Sequence, residues 1–148
     1  MSVTPTPVFA QSPSITSVTL AAQTACTTRA PTATASLAGA NIIQFVNTST
    51  NGLRIDSIKV QACSSSITAA TAANIVQIWI WDGTTAWLND EILVTAVTPS
   101  TTAAAFSTIY TYAQPLILPP TYKLYVSLTV TTTASTTALL VTANGGAL

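Results

Sequence analysis

The sequence predicts an all-β fold, a two-sheet antiparallel sandwich of the jelly-roll type with about eight strands. The 148 residues include 29 Thr and 24 Ala, and only eight residues are charged. An ordinary globular domain has about a quarter of its residues charged. A chain poor in charge and rich in Thr, Val and Ile favours pleated, half-buried strands. Short alternating segments separated by turn signals are typical of a sandwich. The sequence has no repeat of fixed period, so a solenoid is not indicated.

The length fits one domain, which buries roughly two-thirds of its unfolded surface without needing a disulfide or a metal. Residues 1–14 contain Pro5, Pro7 and Pro13 among Thr and Ser, a composition typical of an extended segment without its own core. We expect an N-terminal arm over 1–14 and a single β-sandwich domain over 15–148. The arm lies either on a neighbouring subunit or free in solution as a tail.

The first part of the domain contains alternating segments with one long connection. Residues 15–20 (ITSVTL) alternate with period two and predict a first strand. Residues 21–40 are rich in Thr and Ala and predict a long loop containing at most a short strand. Residues 41–47 form an apolar run, and Asn51 and Gly52 follow it as a pair suited to a tight hairpin turn.

The segment LRIDSIKVQA, residues 53–62, changes phase in its middle. Leu53 and Ile55 begin an apolar face, and Ile58 and Val60 continue it one residue out of step. A slip of one residue within a strand is what a β-bulge produces. We therefore expect one bent strand here.

Residues 75–94 (IVQIWIWDGTTAWLNDEILV) predict a central hairpin that contains all three tryptophans. Asp82 and Gly83 begin its turn. The first strand is apolar on both faces, which indicates burial on both sides or one face covered by a partner. These faces consist of Val76, Ile78 and Ile80 on one side and Gln77, Trp79 and Trp81 on the other.

The remaining segments complete the sandwich. Residues 64–74 are small and polar. A short helix is one interpretation of this segment, but Thr and Ser have low helix propensity and disfavour it. Pro115, Pro119 and Pro120 bound a short strand, as suits the edge of a sheet. From residue 41 onward the sequence predicts eight strands: 41–47, 53–62, 75–82, 86–97, 106–113, 115–118, 122–131 and 137–143.

Charge and hydropathy patterns argue against two classes of partner. The net charge is zero and the four basic residues are scattered, so no field attracts nucleic acid. No membrane helix or signal peptide is indicated, and we expect assembly in a cytoplasm. Few surface ions protect such a protein from association. The composition therefore favours a surface that is largely occupied by protein partners.

Residues for catalysis or metal binding are scarce. Histidine is absent, which removes the commonest general base and metal ligand. Asp82 is better explained as a turn former than as a catalyst, so we expect no enzyme, no cofactor and no metal. Cys26 and Cys63 are 37 positions apart and could pair, but the inferred compartment favours free thiols.

The candidate contact residues belong to the arm and to the hairpin. Val8 and Phe9 are the large apolar residues of the arm. Trp79, Trp81 and Trp87 form one aromatic patch if the hairpin brings them to the same face. Such a patch serves as core packing, as a protein interface or as a platform for stacking sugars, and the sequence leaves these alternatives open.

Three segments carry a resemblance to a known family: NGLRIDSIKVQAC (51–63), VQIWIWDGT (76–84) and QPLILPPTYKLYVSL (114–128). They resemble small jelly-roll cement, or decoration, proteins on the heads of tailed bacteriophages. The likeness is one of pattern and composition and covers about residues 41–143.

The resemblance implies a structural virion protein on the capsid exterior, assembled in the host cytoplasm. Such a protein binds the major capsid protein as a homo-oligomer, a trimer in preference to a dimer, and staples neighbouring subunits. No binding residue of the family can be carried over one by one. The alternative is a head-fibre or tail-associated module that binds glycans or a receptor through the aromatic patch.

Overall fold

The computed structural model describes residues 12–33, 41–47, 50–133 and 137–148. These residues contain β-strands and no helix, as an all-β fold requires. Antiparallel pairing joins all neighbouring strands. The described strands, in chain order, are β1 Ser12–Leu20, β2 Thr32–Ala33, β3 Ile42–Asn47, β4 Leu53–Ala62, β5 Asn74–Trp81, β6 Thr85–Val94, β7 Ser107–Leu118, β8 Lys123–Leu128 and β9 Leu139–Ala147.

The strands form two sheets that pack face to face. One sheet has the order β1-β9-β4-β7, and the other has the order β2-β6-β5-β8-β3. When the two-residue strand β2 is set aside, the other eight strands, numbered in sequence, have the orders 1-8-3-6 and 2-7-4-5. This exchange of strands between two sheets is the jelly-roll arrangement. The predicted fold class is confirmed.

The core lies between the two sheets and consists of the side chains that alternate inward. Fully buried members include Ile58 and Val60 of β4, Val76 of β5, Val126 of β8 and Val141 of β9. Period-two alternation produces this layer, because successive residues of a strand point to opposite faces.

The predicted bulge in β4 is confirmed. The register of β4 shifts between Ile55 and Ser57 against both of its neighbours, β7 and β9. Against β9, Asp56 is the extra residue, whereas against β7 the residues 112–115 lie opposite Asp56. Because of this shift, Ile55 and Ile58 are both buried in the same core, three positions apart.

The predicted strands 106–113 and 115–118 are one strand, β7, so the break at Pro115 is wrong. From residue 41 onward the described chain has seven strands instead of eight. Among the described strands, β7 pairs with β4 alone and lies at the edge of its sheet. Pro115 falls within the register shift between the two strands, where it has no partner in β4, so its missing N–H removes no ladder hydrogen bond.

Two strands of the four-stranded sheet, β1 and β9, extend further than the sequence predicts. β1 begins at Ser12, so the last three residues of the predicted arm belong to the sheet. β9 continues to Ala147, beyond the predicted end of the last strand at residue 143, and includes Asn144, Gly145 and Gly146. Residues 64–73 form turns and one bridge between Thr71 and Val97. Within the described ranges, no helix has the length and hydrophobicity needed to cross a membrane.

Candidate functional site

The turn of the central hairpin is held by Asp82. Its Oδ1 accepts hydrogen bonds from the backbone N–H groups of Thr84 and Thr85, both at 2.8 Å. Gly83 supplies the positive φ of 106° that the turn needs. These backbone bonds, together with one from the Trp87 indole, hold the pKa of Asp82 below its ordinary value. Asp82 therefore has the turn-forming role predicted for it.

The outer face of β5 is covered by the chain itself. Residues 21–33 connect β1 to β2 on this side, and the Cys26 N–H donates to Leu128 O at 2.7 Å. Trp79 is fully buried in a cluster with Cys26, Ile42 and Ala86. Of the two explanations for the doubly apolar strand, burial on both sides is the one observed at this position. Trp79 therefore offers no surface to a partner.

A buried chain of hydrogen bonds holds the covering segment against the sheet. The Trp79 indole donates to Ser127 Oγ at 2.8 Å, and Ser127 donates to Gln77 Oε1 at 2.8 Å. Gln77 Nε2 donates to Thr28 O at 3.3 Å and to Glu91 Oε1 at 3.2 Å. Each buried polar group in this series of hydrogen bonds has a partner, so its burial carries no penalty for an unpaired group. The bond to Thr28 fixes where the segment crosses the face.

Glu91 makes this network sensitive to acid. The hydrogen bond from Arg29 Nε, at 2.8 Å, and then the one from Gln77 lower the pKa of Glu91 from its ordinary value of 4.5. A lowered folded-state pKa stabilises the fold above pH 4.5, and this stability is lost as the pH falls through the lowered value.

We expect Glu91→Gln to reduce the loss of stability as the pH falls below 4.5, because the variant lacks the carboxylate whose pKa is lowered in the folded state. Urea denaturation at a series of pH values measures this slope. Some slope will remain because the pKa of Asp82 is also lowered. An unchanged slope in the variant would contradict the role given to Glu91.

The three indoles do not form one patch. Trp81 is half-buried beside Trp79, with Tyr125 edge-on at 6.2 Å and Lys123 Nζ 5.1 Å from its ring centroid. Trp87 lies directly opposite Ile80 in the register, so it is on the other face of the hairpin. Half of Trp87 is exposed. The strand register across the turn determines the face on which Trp87 lies, and sequence periodicity alone does not give that register.

The two arm residues proposed as contacts, Val8 and Phe9, lie outside the described residues.

The outer face of the four-stranded sheet carries a set of side chains that sequence reasoning missed. We call it the open sheet face. Residues opposite each other in the register share a face, and here they form cross-strand rows: Ile15–Asn144–Ser57–Thr111, Ser17–Thr142–Lys59–Ile109 and Thr19–Leu140–Gln61–Ser107. A further row contains Arg54 and Ile117.

The open sheet face exposes large apolar groups between small polar ones. Ile15 is 75% exposed, Ile109 62% and Ile117 49%. Hydroxyl and amide groups link neighbouring strands, as in the 2.9 Å bond between Ser17 Oγ and Thr142 Oγ1. This surface combines apolar contact area with neutral hydrogen-bonding groups, a mixture suited to a protein interface.

Few charges interrupt the open sheet face. The Arg54 guanidinium contacts the Asp56 carboxylate at 2.7 Å, so these two charges largely cancel. Lys59 lies near the middle of the face, opposite Thr142 and Ile109.

The described residues do not assemble a set of side chains that could hold a metal ion. No cluster of three or more His, Cys, Asp or Glu side chains occurs in the described ranges. Both cysteines are free, as expected. Burial raises the pKa of the Cys63 thiol, which keeps it protonated and weakly nucleophilic at neutral pH.

The strand order defines the class of this protein as a jelly-roll β-sandwich. Comparison with protein-family models, with curated proteins and with solved structures finds no match to the chain.

Proposed function

We propose that this chain is a structural virion protein that binds the outside of an assembled phage head and staples neighbouring capsid subunits. The observation that carries the proposal is the open sheet face, which exposes Ile15, Ile109 and Ile117 in a charge-poor surface. Exposed apolar side chains grouped on one face are typical of protein interaction sites. The role is structural, without enzymatic activity or a cofactor.

Two further points support the proposal. Double-sheet jelly rolls are common in viral capsid proteins, although they also occur in lectins and enzymes, so the fold by itself does not decide the function. The segments 51–63, 76–84 and 114–128 resemble phage decoration proteins and correspond to parts of β4, β5, β7 and β8.

The size of the face favours an oligomer. Four strands spaced 4.8 Å apart, each contributing about six residues, give an area of roughly 400 Å². A stable interface buries about 800 Å² on each partner. One copy would therefore bind weakly, and a homo-oligomer, a trimer in preference to a dimer, would gain avidity on the major capsid protein.

We expect Ile109→Glu to abolish attachment to phage heads stripped of decoration, because the charge would be desolvated in the interface. Wild-type protein should add back to such heads and raise their thermal resistance. Sedimentation of the heads with bound protein measures occupancy. Ile67→Glu is the matched control, because Ile67 is 71% exposed and lies in the loop after β4.

Failure of the wild-type protein to bind stripped heads would contradict the proposal. Equal binding by Ile109→Glu and Ile67→Glu would show that another surface makes the contact. Binding to a sugar array that is lost in Trp87→Ala would favour a glycan-binding module instead, since Trp87 has the most exposed of the three indoles.

A further inference from the structure

A cleft opens between the edge strand β7 and β6, on the side of the sandwich where the two sheets separate. It has a volume of about 410 Å³. Asp90 of β6 points toward Tyr110 and Tyr112 of β7, and the Tyr110 hydroxyl donates to Asp90 Oδ1 at 2.9 Å. Pro115 and Ile117 form its apolar side. A cleft of this volume accommodates an amino-acid side chain or a small ligand.

Two perpendicular rings form one wall of the cleft. The Tyr110 and Tyr112 ring centroids are 5.1 Å apart and the ring planes meet at 90°. The Tyr112 hydroxyl is buried, and its polar neighbours are the Asp90 carboxylate and the Asn89 side chain. Burial first, and then the negative charge of Asp90, raises the pKa of Tyr112. Its hydroxyl therefore remains neutral, and Tyr112 contributes its aromatic ring to the cleft.

Asp90 has no counter-cation in the described part of the chain. Two of the four carboxylates, Asp56 and Glu91, form ion pairs with arginines. Asp82 is neutralised in effect by turn N–H groups. Asp90 accepts hydrogen bonds from the Tyr110 hydroxyl and from the neighbouring Asn89 amide, and both of these donors are neutral.

The chemistry of the cleft selects a ligand that carries positive charge and donates hydrogen bonds. Its polar groups include the remaining lone pairs of the Asp90 carboxylate, which are acceptors. An anion would be repelled by the carboxylate. A guanidinium group is planar, has donors only, and binds both carboxylates and aromatic faces. Arginine fits the cleft better than lysine because it can bond Asp90 and lie on a tyrosine ring at once.

We propose that the cleft formed by Asp90, Tyr110 and Tyr112 is a binding site for the guanidinium group of an arginine side chain on a partner protein. The inference goes beyond the proposed function and does not depend on it. The cleft and the open sheet face meet at Ile117, so the two proposals are tested separately with residues that belong to only one of them, Asp90 for the cleft and Ile109 for the face.

The test uses the full chain with ¹³C-labelled tyrosine, observed by NMR while N-acetyl-L-arginine methyl ester is added. Resonances of Tyr110 and Tyr112 are assigned with the Tyr110→Phe and Tyr112→Phe variants. We expect saturable shifts of both tyrosines. Replacing the ester by N-acetyl-L-citrulline methyl ester, which is neutral and has nearly the same shape, should weaken binding by about tenfold or more, as loss of a charge-assisted hydrogen bond predicts.

Asp90→Asn should weaken binding of the arginine ester by a similar factor, whereas Asp56→Asn should leave it unchanged. Absence of saturable shifts, equal binding of the citrulline ester, or undiminished binding in Asp90→Asn would each overturn the proposal. The comparison of the two esters on the wild-type protein stands even if Asp90→Asn fails to fold.

Two other outcomes would also overturn it. In the first, the inward-pointing charge of Asp90 has the sole role of preventing the sheet edge from pairing with another molecule. In that case Asp90→Asn would self-associate in sedimentation experiments and the wild-type protein would ignore the arginine ester. If methyl α-glucoside shifted the tyrosine signals and the arginine ester did not, the cleft would be a carbohydrate site.

Discussion

Replacement of Trp79 by alanine should lower the free energy of unfolding by about 3–5 kcal/mol. Trp79 is fully buried between the five-stranded sheet and the segment 21–33 that covers it. The substitution removes its packing against Cys26 and Ile42 and leaves a cavity. It also leaves Ser127 Oγ without its donor, which adds the desolvation penalty of a buried polar group.

The loss is large relative to the whole stability of a domain, which is about 5–15 kcal/mol. Because Trp79 helps to hold the segment 21–33 in place, we also expect amide exchange to accelerate at Cys26, whose N–H is bonded to Leu128 O. Urea denaturation and hydrogen exchange measure the two effects.

Trp87→Ala is the matched control. The same chemical change occurs on the same hairpin, but Trp87 is half-exposed and its indole donates to Asp82 at the surface. We expect a loss of about 1 kcal/mol or less, as for an exposed position. Comparable losses in the two variants would contradict the assignment of Trp79 to the core.

Local pattern predicted much of this fold because the core depends on alternation within each strand. The bulge in β4 is the clearest example. The phase change between Ile55 and Ile58 was visible in the sequence, and both residues can reach one core only if a residue is inserted between them. Local periodicity carries such information without reference to any other strand.

The cover over β5 could not be predicted in this way. Residues 21–33 have almost no regular strand and no apolar periodicity, and they are held by backbone bonds and by the buried Gln77 and Ser127. A glutamine between apolar residues signals a polar partner but does not identify it. That information resides in the tertiary arrangement.

The open sheet face was missed for a related reason. Alternation predicts which side chains of one strand point outward, but the face is assembled from β1, β9, β4 and β7, which are distant in sequence. Ile15 and Ile109 lie on opposite edge strands, and they share one surface because β9 and β4 join those strands into a single sheet. The tryptophans, which are conspicuous within one hairpin, attracted the site prediction instead.

The last strand extends past its predicted end at residue 143 because glycine is typical both of a turn and of a close backbone contact. Asn144, Gly145 and Gly146 look like a terminating turn, but they lie within β9. Gly145 pairs with Ile55 directly beside the β4 bulge. Its φ lies outside the left-handed region. Space, and not backbone freedom, therefore requires glycine at this position.

Gly145→Ala should destabilise the fold by about 3–5 kcal/mol, since overpacking and lost ladder hydrogen bonds combine. An added Cβ would overlap the carbonyl oxygen of Arg54 and lie 2.9 Å from its carbonyl carbon and 3.0 Å from Ile55 Cα. These are backbone atoms of a central strand, so no side-chain rotation relieves the clash. β4 and β9 must separate locally. Thermal and urea denaturation measure the loss.

Gly83→Ala separates this effect from backbone strain. Gly83 has φ of +106°, where alanine is strained, but nothing lies within 4 Å of an added Cβ. The expected loss is about 1–2 kcal/mol, the usual penalty for such a conformation. If Gly145→Ala lowered the free energy of unfolding by less than Gly83→Ala does, the result would contradict the close approach of β9 to the β4 bulge. If it is harsher, the bulge and the glycine opposite it act as one unit, since the bent strand leaves no room for a side chain there.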